Sequence, residues 1–282
     1  MAADEWMTVD PDNSPPVKID ASVAHQARIY NYLLGGKDNF AVDREAAAKS
    51  MEVFPGFRDW ARNNRAFLSR AVRYLMTQVG IRQFLDIGTG LPTADNTHEV
   101  AQRIKPSTRI CYVDNDPTVL AHARALLTSD PAGKTDYVHA DLRNVDGILG
   151  AAAGTLDFDQ PIAVMLLAIL HAIPDDDDPW AIVGRIMAAV PPGSFLVMSH
   201  PASDLRSTAF DVTELTKRLN EGMGGTRMRA RSRDEVARFF TGLDLVPPGI
   251  VPTPRWRPDP EQGLPEDNTN SAYAAVGRKP AS

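Results

Sequence analysis

Residues 84–90 read FLDIGTG. A hydrophobic strand that ends in Asp-x-Gly-x-Gly predicts a turn in which the backbone approaches a ligand closely. A side chain at Gly88 or Gly90 would collide with that ligand, whereas glycine leaves room for it. The stretch therefore predicts an α/β fold with a ligand site after its first core strand.

Short apolar segments alternate with helical segments on the C-terminal side of Ile81. Strands are predicted in IRQFLDIG, RICYVDND, TDYVHADLRN, PIAVMLLAIL and GSFLVMSH, with helical patterns between them. This alternation predicts βαβ units and a parallel sheet. The last two segments, DLVPPGIV and SAYAAVGRK, have no long helix between them, so we expect them to pair antiparallel.

Two acidic residues follow the next two strands. Asp114, with Asn115 beside it, ends the second strand, where its carboxylate can accept hydrogen bonds from ribose hydroxyls. Asp141 follows the third strand and can accept from an adenine amine, while the N–H of Leu142 serves a ring nitrogen. A nicotinamide dinucleotide is the alternative ligand. Its fingerprint needs a third glycine where Thr93 stands, which disfavours an oxidoreductase.

These motifs resemble class I S-adenosylmethionine-dependent methyltransferases over residues 81–278. The resemblance implies a Rossmann-like fold with a seven-stranded, mostly parallel sheet whose last strand is antiparallel, and S-adenosyl-L-methionine as cofactor. It implies that Gly88 and Gly90 hold the methionine part, Asp114 the ribose and Asp141 the adenine, with Asp86 near the cofactor's amino group. Pro92 departs from the pattern, because many members have a third glycine there.

The chain also resembles a narrower bacterial family of S-adenosylmethionine-dependent methyltransferases. That resemblance rests on ARIYNYLLGGKDNFAVDREAA, RAFLSRAVRYL, FLDIGTGLPT and VDNDP, in this order. It implies the fold and the cofactor but not the methyl acceptor. We expect methyl transfer to a small molecule; the alternative is a non-catalytic regulator that binds the same cofactor.

The N-terminal part is predicted to comprise a mobile arm at residues 1–20 and a helical cap at residues 21–80, before a core at 81–282. The stretch IYNYLLGGKDNF lies in this cap. We expect it to cover the cofactor, with Tyr30, Tyr32 or Phe40 facing the sulfonium cation. Gly35 and Gly36 would end a helix, and residues 37–39 would order the turn or meet the cofactor's carboxylate. The alternative is that these aromatic residues only fill the core.

Two histidines are candidate general bases. His171 and His200 follow the fourth and fifth strands, near the predicted position of the transferred methyl group. The alternative for each is a histidine that packs at a strand end.

Three groups of charged residues have structural interpretations that we prefer. Asp116 before Pro117 is typical of a helix cap. Residues 175–178, four aspartates, offer metal ligands, but a cap for the following helix is the better interpretation, and we predict no metal. The basic residues of TRMRARSRDE are expected on an exposed strand or loop.

The composition is that of an ordinary globular protein. The chain has 282 residues, 43% hydrophobic and 23% charged, with a net charge of -6. It does not favour a broad nucleic-acid or membrane surface, although a small RNA-reading pocket is compatible with it. The one cysteine, Cys111, cannot form an intramolecular disulfide. The N-terminus lacks a secretory pattern, and no apolar run reaches the ~20 residues of a membrane span, so we expect a cytoplasmic protein.

Overall fold

The computed structural model describes residues 20–93, 95–126, 129–205, 216–217, 220, 228–259 and 271–281. The predicted arm at residues 1–20 lies outside the described residues, apart from Asp20. Within the described ranges, no helix is long and apolar enough to cross a membrane.

A mixed β-sheet forms the core of the described residues. Its strands are β1 (Gln83–Ile87), β2 (Arg109–Asp114), β3 (Lys134–His139), β4 (Ala163–Leu167), β5 (Phe195–Pro201), β6 (Asp244–Leu245), β7 (Val251–Pro252) and β8 (Ala272–Arg278). They are arranged in the order β3-β2-β1-β4-β5-β8-β6, and β7 also pairs with β8. Strands β1 to β5 are parallel, whereas β8 is antiparallel to β5, β6 and β7. The predicted fold is confirmed, except that the single predicted strand DLVPPGIV is divided into two short strands, β6 and β7, which both pair with β8.

Helices precede the sheet and connect its parallel strands. Before β1 come α1 (Gln26–Leu33), α2 (Ala41–Val53) and α3 (Phe57–Tyr74), which continues into a π-helical turn at Leu75–Val79. The connecting helices are α4 (Thr97–Ile104), α5 (Pro117–Leu126), α6 (Val145–Ala152) and α7 (Pro179–Ala189), and α8 (Arg233–Ala237) follows β5 in the sequence. We call residues 21–80 the cap.

Strand β1 is buried on both faces of the sheet, as its apolar sequence predicts. Alternate residues of a strand point to opposite faces. Leu85 therefore packs in one hydrophobic cluster with Val164 of β4, and Phe84 packs in another with Met165. The strand is thereby fixed in the middle of the core.

The position of β1 creates a crevice at the carboxyl ends of the strands. β1 lies between β2 and β4, so the chain builds the sheet first to one side of β1 and then to the other. Where the strand order reverses in this way, the connections after the neighbouring strands diverge and leave space for a ligand. Gly88 follows β1 and Ile169 follows β4 at this edge.

Helix α3 joins the cap to the sheet. Phe67 and Leu75 are fully buried in the cluster that contains Phe84. The ring of Trp256 meets that of Phe67 edge-on at 5.3 Å, and Arg70 donates to the carbonyl of Trp256 at 2.9 Å. The second half of α3 is therefore part of the main core.

The first half of α3 belongs to a hydrophobic cluster within the cap. Phe57 and Trp60 of α3 pack there with Ile29 and Leu33 of α1. At the start of α1 and α2, the buried Asp43 carboxylate accepts from the N–H groups of residues 25 and 40 at 2.9 and 2.8 Å. The cap helices are thus held together by contacts within the cap as well as by contacts with the sheet.

Candidate active site

The backbone turns sharply at the two glycines after β1. Gly88 and Gly90 have φ angles of +75° and +67°, where residues with side chains are strained. A Cβ at Gly88 would lie 2.4 Å from Cγ1 of Ile169, whereas a Cβ at Gly90 would have no atom within 4 Å. Gly88 is therefore required for packing against the loop after β4, and Gly90 leaves open space beside the cavity that it lines.

The carboxylate of Asp114 is bound to the backbone at the end of β2. Its Oδ2 accepts from the N–H of Gly90 at 2.8 Å, and its Oδ1 accepts from the N–H of Asp116 at 2.9 Å. Burial raises the pKa of Asp114, and these two hydrogen bonds act against that rise. A carboxylate offers roughly four acceptor positions, so about two remain for donors on a ligand.

Asp86 lies beneath the glycine turn. Its Oδ2 accepts from the hydroxyl of Thr97, the first residue of α4, at 2.6 Å. Burial raises the pKa of Asp86 to about 6, and the positive charge of Arg65 on α3 lowers the pKa in part. Asp86 and Arg65 both line the same cavity, so a carboxyl group and a cation are available at this end of it.

Asp141 and Asn115 lie side by side after β3 and β2. The Asn115 amide donates to Oδ2 of Asp141 at 3.3 Å, and the N–H of Arg143 donates to Oδ1 at 2.9 Å. Burial acts to raise the pKa of Asp141, but the hydrogen bonds from the backbone and side chain of Arg143 hold it below its usual value. The carboxylate is therefore ionised at neutral pH, with Leu142 buried next to it.

Two cavities open at this edge of the sheet. The inner cavity lies between the cap and the strand ends and is lined by Asp86 and Gly90 among others. The outer cleft lies along the ends of β2 and β3, where Asn115, Asp141 and Leu142 line it. They hold about 880 and 1420 Å³ of space, each including a part open to solvent. Gly88 and Asp114 line both, so the two spaces meet at these residues.

Two helix faces of the cap form the wall of the inner cavity. On α1 the lining residues include Gln26, Ile29, Tyr30 and Leu33, and on α3 they include Phe57, Trp60, Asn64 and Leu68. Both sets have the three- and four-residue spacing of one helix face. Helices α1 and α3 therefore form one wall of the inner cavity.

Tyr32 and Phe40, predicted to face the cofactor, lie outside both cavities. The Arg58 guanidinium lies 4.8 Å from the centroid of the Tyr32 ring, and that of Arg28 lies 5.1 Å from the Phe40 ring. Tyr32 is two residues from Tyr30, which places its side chain on another side of α1. Tyr30 is the aromatic residue of this segment that lines the inner cavity.

The Gly-Gly turn after α1 is built around Asn31. Gly35 has a φ of +85°, and a Cβ at Gly36 would lie 2.3 Å from the Asn31 amide. The side-chain oxygen of Asn31 accepts from the N–H of Asp38 at 3.1 Å and from the Asn39 amide at 2.9 Å. The prediction that the glycines end a helix and turn the chain is confirmed, and residues 38 and 39 order that turn.

His171 lines the inner cavity from the 3-10 turn Leu170–Ala172 after β4. Its Nδ1 is buried and has no hydrogen-bond partner among the described residues. Burial and the positive charge of Arg231 lower the pKa of His171 to about 4. The imidazole is therefore neutral at neutral pH, and one of its ring nitrogens makes no hydrogen bond to the described residues.

His200, the second predicted base, does not line the inner cavity or the outer cleft. It is fully buried in β5, with Nδ1 2.8 Å from the carbonyl oxygen of Pro201 and Nε2 2.8 Å from Nη1 of Arg231. A carbonyl only accepts and a guanidinium only donates, so Nδ1 carries the proton and Nε2 accepts. Both ring nitrogens are occupied, and His200 packs beneath the site instead of facing a substrate.

Arg231 is fully buried, so the expectation of an exposed basic strand or loop is wrong at this residue. Its guanidinium donates to the carbonyls of Leu170 and Ile173 at 2.9 and 2.8 Å and to Asp175 at 2.8 Å. These acceptors compensate for the loss of water around a buried cation. Arg231 thereby fixes the loop that carries His171. Residue 227 of the same basic string lies outside the described residues.

Asp178, the last of the four aspartates at residues 175–178, and Asp116 have the predicted capping roles. Asp178 accepts from the N–H of Ala181 at 3.1 Å at the start of α7, and Asp116 accepts from the N–H of Thr118 at 2.8 Å at the start of α5. Asp175 forms ion pairs with Arg229 and Arg231. No cluster of three or more His, Cys, Asp or Glu side chains suited to a metal ion occurs in the part of the chain that the structure describes.

His25 and Gln26, at the start of α1, line both cavities, although neither is among the site residues predicted from the sequence. Nδ1 of His25 lies 3.0 Å from Oδ2 of Asp116, which brings the cap to the start of α5. The Gln26 side-chain oxygen is buried without a hydrogen-bond partner among the described residues, and Gln26 lines both cavities. The shared spacing of residues 26, 29, 30 and 33 is the sequence signal that indicates this face.

The sequence and the fold are similar to those of known proteins over nearly the whole chain. The model of the S-adenosyl methyltransferase family matches residues 12–280. A DUF574 family protein from Streptomyces avermitilis is 42% identical, with 93% of this chain and 100% of that one covered and a TM-score of 0.88. A methyltransferase candidate from Thermobifida fusca YX is 40% identical, with 95% and 99% covered and a TM-score of 0.84. A search of curated proteins finds no match.

Gly88→Ala is expected to disrupt the site more than Gly80→Ala does. Both glycines have positive φ angles, +75° and +93°, but a Cβ at Gly80 would meet no atom within 4 Å. Each change adds backbone strain of ~1–2 kcal/mol, and only the first also displaces Ile169. We expect Gly88→Ala to weaken S-adenosylhomocysteine binding at least about tenfold in calorimetry and Gly80→Ala to preserve it. Equal affinities of the two variants would contradict the role assigned to the Gly88 contact.

His200→Gln is expected to make folding less sensitive to acid. Burial lowers the pKa of His200 to about 3, so below about pH 6.5 the unfolded chain binds a proton that the folded protein excludes. The free energy of unfolding of the parent should therefore fall by up to ~1.4 kcal/mol per pH unit from this residue as pH decreases toward 3. His171 acts in the same direction and Asp86 in the opposite one, and both remain in the variant.

Urea denaturation between pH 7 and 4 measures how the free energy of unfolding of the parent and of His200→Gln depends on pH. We expect the two stability curves to converge as pH falls, because glutamine retains a donor and an acceptor but does not titrate. Parallel curves would show that His200 titrates alike in the folded and unfolded protein.

Proposed function

The chain belongs to the S-adenosyl methyltransferase family, and we propose that it transfers a methyl group to a small molecule bound in the inner cavity. Members of this family use S-adenosylmethionine, so the cofactor and the reaction class follow from the match over residues 12–280. The observation that supports the finer proposal is the meeting of the two cavities at Gly88 and Asp114. A cofactor bound across that junction has its nucleoside in the outer cleft and its reactive end under the cap.

The side chains at the junction fit the cofactor. Gly90 offers open space where a Cβ would protrude, and Gln26 has a buried oxygen without a partner among the described residues. We assign the ribose hydroxyls to the remaining acceptor positions of Asp114 and the adenine to Asp141 and Leu142 of the outer cleft. Asn115 supports this end through its hydrogen bond to Asp141.

The methionine part is assigned to the glycine turn and its surroundings. The carboxyl group of Asp86 suits the cofactor's ammonium group, and a positive charge there would favour the ionised form of Asp86. Arg65 lines the same end of the cavity and suits the cofactor's carboxylate. These two opposite charges would orient the amino-acid part before the reaction.

The cap excludes water from the reactive end. S-adenosylmethionine supplies an electrophilic methyl group on a positively charged sulfur. The cap wall around Tyr30, Phe57 and Trp60 is apolar and aromatic, which keeps an acceptor dry and places ring electrons near a cation. Methyl transfer needs mainly alignment of the acceptor with the methyl group, and the fixed helix faces provide a rigid surface for this.

His171 is the residue that we assign to proton removal. The attacking atom becomes strongly acidic as its bond to the methyl carbon forms, so a weak base is sufficient at that stage. A neutral imidazole with a pKa of about 4 is compatible with this role because it stays unprotonated at neutral pH. Arg231 holds the loop of His171 in place through the carbonyls on either side of it.

Asp114→Ala tests the position of the cofactor. Loss of this acceptor should weaken binding of S-adenosylhomocysteine by ~1–3 kcal/mol, up to about a hundredfold, in calorimetry. Asp141→Ala should weaken it less, because the N–H of Leu142 remains. Asp244→Ala, in the exposed β6, is the control and should bind like the parent. NAD should not compete. Normal binding by a folded Asp114→Ala variant would contradict the assignment.

Labelled S-adenosylmethionine tests the reaction itself. Incubation of the protein with a cell extract should transfer label to the small-molecule fraction, and His171→Gln should slow this transfer while it preserves cofactor affinity. Label found only in protein or nucleic acid would contradict a small-molecule acceptor. Cofactor binding with every fraction unlabelled would favour a non-catalytic regulator.

A further inference from the structure

The inner cavity has an aromatic wall, formed by Tyr30, Phe57 and Trp60. The rings of Tyr30 and Trp60 meet edge-on at 6.0 Å, and those of Phe57 and Trp60 lie 5.5 Å apart at 42°. Phe57 and Trp60 are only 8% and 9% exposed, and all three residues line the cavity. Because the rings fix one another, the wall presents a preformed surface to a ligand.

The polar groups of this wall bond to one another. The Asn64 amide donates to the hydroxyl of Tyr30 at 3.0 Å, and its oxygen accepts from the hydroxyl of Ser199 at 2.5 Å. The Tyr30 hydroxyl donates to the carbonyl of Ala61 at 3.0 Å. A ligand with many polar groups would find few free partners on this side, and buried polar groups without partners are costly.

Charge in the inner cavity is concentrated at the cofactor end. Among its described lining residues from α1 and α3, Arg65 is the one with a charged side chain, and its charge acts on Asp86 beneath the glycine turn and on Tyr30. The rest of both helix faces is apolar or amide-bearing. Because Arg65 is assigned to the carboxylate of the cofactor, a charged acceptor would have no counter-ion of its own on these helix faces, which disfavours it.

His171 adds a polar side chain to the cavity that these rings line. Its buried Nδ1 has no partner among the described residues, and unlike Gln26 it lines the inner cavity without lining the outer cleft. Buried polar atoms without partners in a folded protein call for an explanation such as a ligand. One hydroxyl on the acceptor would satisfy the imidazole.

We propose that the methyl acceptor is an uncharged, planar aromatic molecule that carries a ring hydroxyl, held against Phe57 and Trp60 with the hydroxyl at His171. The inference rests on the proposed function of the same site. The hydroxyl oxygen forms the new bond to the methyl carbon while the carbon–sulfur bond breaks. The electron pair of that bond stays on the sulfur, which becomes a neutral thioether, and the hydroxyl proton passes to His171. The products are an aryl methyl ether and S-adenosylhomocysteine.

Four probes test the acceptor class with the full-length protein. 2-Naphthol is compared with decahydro-2-naphthol, which lacks the aromatic ring, with 6-hydroxy-2-naphthoate, which carries a charge, and with 2-naphthylamine, which replaces the hydroxyl. Binding is measured by calorimetry in the presence of S-adenosylhomocysteine, and methyl transfer is measured with labelled S-adenosylmethionine. We expect 2-naphthol to bind and accept label, and each of the other three to do so at least about tenfold less well.

Phe57→Leu and Phe54→Leu form a matched pair of variants. Their rings lie 5.7 Å apart in the same cluster, but Phe54 does not line the inner cavity. Phe57→Leu should weaken 2-naphthol binding about two- to tenfold, whereas Phe54→Leu should bind both 2-naphthol and S-adenosylhomocysteine like the parent.

The outcomes separate the two proposals. Three results would overturn the aromatic hydroxyl acceptor: no binding of 2-naphthol, equal or better use of the saturated, charged or amine probe, or equal effects of the two variants. If S-adenosylhomocysteine still binds in such a case, the methyltransferase proposal stands. Failure to bind S-adenosylhomocysteine at all would overturn the cofactor assignment first.

Discussion

The contact between Gly88 and Ile169 is the constraint on which the site depends. At the point where the strand order reverses, the loops after β1 and β4 must pass each other, and Ile169 occupies the space that a side chain at residue 88 would need. The positive φ angle of Gly88 then directs the chain to Gly90, whose N–H reaches Asp114 at the end of β2. The close approach of Gly88 to Ile169 thus accompanies the glycine turn, the hydrogen bond to Asp114 and the junction of the two cavities.

The cap adds a wall to this open edge. Its attachment depends mainly on α3, because each fully buried side chain such as Phe67 or Leu75 contributes about 1.5–3 kcal/mol. The His25–Asp116 and His122–Asp38 contacts, 3.0 and 3.3 Å long, each involve a partly exposed histidine and contribute about 1 kcal/mol or less each. Hydrophobic packing therefore holds the cap, whereas these polar contacts lie at its edge over α5.

The sequence predicts the strand ends well because Gly88 and Asp114 stand at the ends of buried strands, and Asp141 comes two residues after the more polar β3. It identifies the cap segment but not the residues that face the ligand, since Tyr30 and Tyr32 are equally plausible until the phase of α1 is known. The spacing of residues 26, 29, 30 and 33 carries that phase. The burial of Arg231 is not predictable locally, because its acceptors Leu170 and Ile173 lie 61 and 58 positions away in the chain. Arg231 also occupies Nε2 of His200, so of the two predicted bases only His171 lines the inner cavity.

The central claim is that the cofactor binds across both cavities beneath the cap, and hydrogen exchange measures this most directly. Addition of S-adenosylhomocysteine to the full-length protein should slow amide exchange at residues 86–90 and 113–116 of the core and, in the same experiment, at residues 26–33 of the cap. Such joint protection is expected because Gln26 and Tyr30 line the same space as Gly88 and Asp114. Protection confined to the core, with exchange in the cap unchanged at saturating ligand, would contradict the account.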